Sequence, residues 1–115
     1  MRRPERIAEQ LREEVTEIVG FELEDPRLIA VTVTDVRVSE NKRDAKVYVT
    51  VEGEEKEIRE AMKALHNAEK FVRQQVTLRL NVHHAPHIHF VRDTVEEKAG
   101  RIEQILEELN ITTSE

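Results

Sequence analysis

His83, His84, His87 and His89 fall within seven residues of one another in the segment NVHHAPHIHF, residues 81–90, and they are four of the chain's five histidines. Imidazole offers metal ligation, proton transfer, and hydrogen bonding or stacking against a nucleic acid. For zinc, His87 and His89 would share a strand face if Ile88 and Phe90 point inward, and His83 or His84 could add a third ligand. No cysteine is available, and Asp93 is the only carboxylate close in sequence, so the spacing permits a metal without specifying one. For nucleophilic catalysis the chain offers only Ser39 and Ser114, neither of them in a nucleophile-elbow sequence.

Charge favours the third chemistry. Residues 70–92 hold Lys70, Arg73, Arg79 and Arg92 and no Asp or Glu, inside a chain of net charge −6. An acidic total argues against a general polyanion binder, yet local potential guides a charged partner more than the total does. The bland alternative is a solvated basic helix face. Arg2, Arg3 and Arg6 form a smaller cluster at the start. The three glycines fall in no phosphate-binding loop pattern, and no paired carboxylates stand out, so enzyme chemistry and cofactors have no support.

The elements that must position these residues follow from periodicity. A chain of 115 residues suits one domain, read as 1–110 with a flexible tail at 111–115. Ile7, Leu11, Val15, Ile18 and Val19 make one stripe of a first helix, opened by Pro4 and ended by Asp25-Pro26. Val31 and Val33 alternate out of phase with Val36 and Val38, which predicts a bulge near Asp35. A second strand carries Ala45, Val47, Val49 and Val51 on one face, and the short ENKRD turn makes the two strands an antiparallel hairpin. Residues 54–67 and 70–80 read as two helices with a kink or tight elbow at HNAEK. HIHFV reads as a third strand, and Thr94 with Glu97 as a capping box for a last helix with the stripe Ile102, Ile105, Leu106 and Leu109. The expected fold is α+β, a three-stranded sheet covered mainly on one face by helices, with the strand order open. No hydrophobic run approaches membrane-spanning length, and the absence of cysteine fits a reducing cytoplasm.

Seven segments carry a resemblance. They are RPERIAEQLREEVTEIV at 3–19, EDPRL at 24–28, TVTDVRVS at 32–39, DAKVYVTV at 44–51, ALHNAEKFVRQQV at 64–76, PHIHFVRD at 86–93 and GRIEQILEEL at 100–109. In this order and spacing the chain resembles the bacterial ribosome-binding factor A family, over about residues 3–109. The resemblance implies a type-II KH-like fold, α-β-β-α-(kink)-α-β-α, with a mixed sheet. Where KH domains clamp nucleic acid with a GxxG loop, the family has an Ala-x-Gly kink, matched here by Ala68, Glu69 and Lys70. Lys70 thus departs from the family's glycine. His83 stands where family members often carry Arg.

The resemblance also implies the activity. The family binds the free small (30S) ribosomal subunit, not whole ribosomes. It assists maturation of 16S rRNA near the 5′ end without catalysis, takes part in cold adaptation, and is commonly released by a GTPase. A monomer without cofactor or metal is expected. The expected RNA-binding residues are Arg3, Arg6, Asn67, Lys70, Arg73, Gln74, Arg79, His83, His84, His87, His89 and Arg92. Two other readings stay open from the residues alone: a protein–protein adaptor using the acidic helices, and a metal-dependent regulator using the histidines.

Overall fold

The computed structural model describes the backbone of residues 4–113 and the side chains of residues 6–109. Helix α1 (Pro4–Glu17) follows the expected stripe, and Leu11, Val15 and Ile18 are fully buried. It widens into a π turn over Ile18–Glu22, closed by the Leu23 N–H bonding to the Ile18 carbonyl at 3.2 Å. A single 3-10 turn, Pro26–Leu28, follows the Asp-Pro break. The Asp25 carboxylate accepts from the Arg27 N–H at 3.0 Å and also pairs with its guanidinium, which holds that carboxyl below its ordinary value. This short turn sets buried Leu28 under the sheet before the first strand begins.

Strands β1 (Val31–Val38) and β2 (Asp44–Val51) form the expected antiparallel hairpin. The bulge is present: Val33 pairs with Val49 and Asp35 with Tyr48, leaving Thr34 as the extra residue. That extra residue lets Val33 and Val36 both face the core. Helix α2 (Glu55–Leu80) then crosses over to β3 (His87–Arg92), which lies parallel to β2. The sheet is therefore mixed, in the order β1-β2-β3. Val33, Val36, Ala45, Val47, Val49, Ile88 and Phe90 pack with α1 and α2 into one core. Each such valine or isoleucine stabilises the fold by about 1.5–3 kcal/mol relative to an exposed one.

Two boundaries depart from expectation. The two helices expected around Ala68, Glu69 and Lys70 are one helix of 26 residues. No glycine or proline interrupts HNAEK, and lysine holds helical geometry at less cost than glycine. Ala64, Leu65, Ala68, Val72 and Val76 therefore keep one continuous contact with the core. Helix α3 (Val95–Thr113), capped by Thr94 Oγ1 accepting from the Glu97 N–H at 3.2 Å, runs beyond residue 110, where a tail was expected. Nothing in Asn110-Ile111-Thr112 breaks a helix. As expected, helices cover mainly one face of the sheet, that of α1 and α2; α3 meets the opposite face through Arg101, lying 3.8 Å over the Tyr48 ring.

Candidate nucleic-acid interface

The second half of α2 stops at Asn81, which takes the left-handed conformation with φ 52°. The Val82 N–H reaches back to the Thr77 carbonyl at 3.3 Å, the pattern that closes a helix sharply. The chain therefore turns back beside its own helix, and Ala85 and Pro86 are buried against it. Arg73 Nε donates to the Ala85 carbonyl at 3.0 Å and fixes this return. Glu69 supplies a second tie: its Oε2 accepts from the Phe90 N–H at 2.8 Å and lies 3.2 Å from His66 Nδ1.

Between helix and return lies an open groove of about 880 Å³. Lys70, Arg73 and Gln74 form its helical wall, and His83, His84, His87 and His89 come from the facing segment. Glu69 is the only acid in the lining, and its carboxylate is turned to the strand backbone. Seven of the residues expected from sequence thus meet in one place. The alternation of β3 holds: Ile88 and Phe90 are buried, while His87 and His89 are exposed. His89 Nε2 lies 2.9 Å from Asp44 Oδ1 across the parallel pair. Among the described residues, no three His, Asp or Glu side chains gather into a metal-binding cluster.

The other expected residues lie elsewhere. Arg79 points to α1 and the π turn after it, where Glu14 at 3.2 Å, Glu17 at 3.6 Å and Glu22 surround its guanidinium. Arg92 pairs with Glu55 at 3.2 Å, at the start of α2. Asn67 is exposed on α2 and Arg6 on α1, and neither lines the groove. Arg3 lies outside the described residues.

Sequence reasoning missed Phe71, Gln75, Thr77 and Leu78, which also line the groove. The signal was available for two of them. Phe71 and Leu78 are seven residues apart and off the Val72–Val76–Leu80 stripe, so they had to share a face away from the core. Both are exposed, and they add apolar lining to the groove beside its cations and amides.

A second polar cluster sits on the outer face of the sheet. Arg101 Nη2 contacts both Asp93 oxygens, at 3.1 and 3.2 Å, and its Nε lies 3.1 Å from Asp35 Oδ2. Thr34, the bulge residue, donates to Asp93 Oδ2 at 2.6 Å. Burial raises the Asp93 carboxyl, but the hydrogen bonds from Thr34 and Arg101 outweigh it and leave it below its ordinary 3.8. None of these residues lines the α2 groove. It fastens the root of α3 to β1, β2 and β3.

The chain matches the profile of the family described as ribosome-binding factor A over residues 3–106. It is 38% identical to ribosome-binding factor A of Caldicellulosiruptor saccharolyticus, covering 98% of this chain and 86% of that one. It is 40% identical to the Desulfitobacterium hafniense protein of the same name, covering 90% and 83%. The crystal structure of ribosome-binding factor A from Thermus thermophilus superposes with a TM-score of 0.70 at 30% identity, covering 79% of this chain and 97% of that one. A homology model of the Thermus factor, fitted to a cryo-EM map of a 30S–ribosome-binding factor A complex, superposes with a TM-score of 0.63 at 32% identity, covering 73% and 88%. With this hairpin, crossover helix and parallel third strand, and with that identity over nearly the full length, the chain belongs to the ribosome-binding factor A family.

Proposed function

We propose that this chain binds the free small ribosomal subunit through the α2 groove and assists maturation of its 16S rRNA near the 5′ end. It does so by non-catalytic RNA binding, as a cytoplasmic monomer that a GTPase helps to release. One observation carries the reading: Lys70, Arg73, Gln74 and four histidines line a single groove whose only acid, Glu69, is turned to the Phe90 N–H. The cations take phosphates, the amides and imidazoles take sugar and base edges, and Phe71 offers a face to a base. Arg79 and Arg92 are held by carboxylates, so the groove presents two full cations. Counterion release from two phosphates gives a shallow slope of log affinity on log salt, roughly −1.4 to −1.8.

Co-sedimentation with purified small subunits, mature and immature, across a salt series tests this. Lys70→Glu is expected to weaken binding about tenfold at low salt and leave the melting temperature unchanged, in keeping with a lost phosphate contact. If the unaltered protein binds neither form of subunit at low salt, the reading fails. If it binds and Lys70→Glu has no effect, the groove is not the contact.

A further inference from the structure

We infer that α3 is a docking arm that seats its apolar stripe in a groove, rimmed by Lys or Arg, on a protein of the small subunit. This rests on the subunit-binding reading but uses a different surface from the RNA groove. Ile102, Ile105 and Leu106 lie at helical spacing on one face of α3, and Ile102 and Leu106 are 51% and 54% exposed. Leu109 continues the line, also exposed. An amphipathic helix normally turns such a stripe to its own core. Here the core is complete without it, since none of the stripe residues belongs to the core cluster.

The base of the stripe is anchored. Arg101, one residue before it, is gripped by Asp93, Asp35 and the Tyr48 ring, and its side chain is only 11% exposed. Residues 102–109 are exposed without interruption, so the helix leaves the body at that point. Eight residues at 1.5 Å each give an arm of about 12 Å. A helix fixed in its bound form loses little conformational entropy on docking, the requirement for the helix-in-groove mode.

The rim selects the occupant. The segment IEQILEEL, residues 102–109, holds Glu103, Glu107 and Glu108 and no Lys or Arg. Glu103 and Glu107 are exposed and follow Ile102 and Leu106 directly, bordering the stripe. Phosphates would be repelled by it, so RNA does not suit. A second copy would set one acidic rim against another, so self-association does not suit either. A protein groove with a basic rim complements both apolar stripe and acids.

The test compares the full chain with the double variant Ile102→Gln, Leu106→Gln, which keeps helix-forming residues and touches no core position. Binding is measured to intact small subunits and to the protein-stripped RNA of the same particles, with sedimentation velocity of each protein alone. The expected result is about tenfold weaker binding to intact subunits, unchanged binding to stripped RNA, monomers throughout and an unchanged melting temperature. Equal loss on stripped RNA, or no loss on intact subunits, overturns the proposal. A dimer of the parent chain that the variant abolishes assigns the stripe to a second copy and overturns it too. If the parent chain binds no intact subunit, the subunit reading has failed and this proposal falls with it. A failure confined to the variant leaves that reading standing.

Discussion

The groove and the Arg101 cluster use the same residue types to opposite ends. In the groove, Lys70 is exposed and carries no carboxylate partner among the described contacts, and Arg73 gives one N–H to a backbone carbonyl. On the outer face, Arg101 meets two carboxylates and an aromatic ring at near-complete burial. Arg79, set among three carboxylates, resembles Arg101 more than Lys70, whereas Arg92 stands between them, paired with Glu55 but largely exposed. The comparison shows that a cation's position in a basic stretch of sequence does not say whether its charge reaches a partner molecule. What decides is whether the fold brings a carboxylate to it first.

The largest expected effect breaks the outer cluster. Arg101→Ala strands the Asp93 carboxylate, whose side chain is 8% exposed, with only Thr34 to satisfy it. Removing one partner of a buried pair costs about 3–5 kcal/mol, read as a lowered chemical-denaturation midpoint. Affinity for stripped rRNA, measured where the variant is still folded, is expected to hold, because the cluster faces no part of the groove. A fall in RNA affinity with unchanged stability would reverse the two assignments. Lys70→Glu is the converse: about tenfold in binding, or roughly 1.4 kcal/mol, and nothing in stability.

Arg79→Ala separates the cases most sharply, since its place in the sequence suggests RNA and its place in the fold suggests α1. Its partners Glu14, Glu17 and Glu22 are all partly exposed, so solvent screens the pairs. About 1 kcal/mol of stability is expected to go, with RNA affinity unchanged. If binding falls tenfold instead, Arg79 leaves its carboxylates on the subunit.

The smallest effect is a pH dependence. The Asp93 carboxyl is held below its ordinary 3.8, so the folded protein binds its proton less readily than the unfolded chain. Its contribution to stability is complete above that ordinary value and is lost as pH falls through the lower, folded one. Asp93→Asn should therefore flatten the acid limb of stability against pH in that window. An unaltered acid limb would mean that the cluster does not couple to folding.

Local pattern made the stripe of α1, the hairpin, the bulge at Thr34 and the Thr94 cap legible. Each depends on neighbours within a few residues. The groove was half legible: four histidines and three helix residues were found by their chemistry, whereas Phe71 and Leu78 were passed over because only charged and polar side chains were weighed as contacts. What stayed hidden depends on distant partners. Arg79 meets Glu14 across 65 residues, and Thr34 meets Asp93 across 59, and no periodicity reports such pairs. The continuity of α2 through Lys70 was hidden for another reason. The family's glycine suggested a break that this chain's lysine does not make.

The bond from the Phe90 N–H to Glu69 has a consequence for solubility. β3 is an outer strand of the sheet, paired with β2 on one side only. Phe90 offers its N–H on the other side, as any bare sheet edge does, to whatever strand arrives. A second copy pairing there would begin a chain of sheets. Glu69 reaches from α2 and takes that donor with a carboxylate, so an arriving strand finds a charge where it needs a hydrogen bond. The same side chain that shapes one wall of the groove thereby guards the sheet against edge-to-edge aggregation.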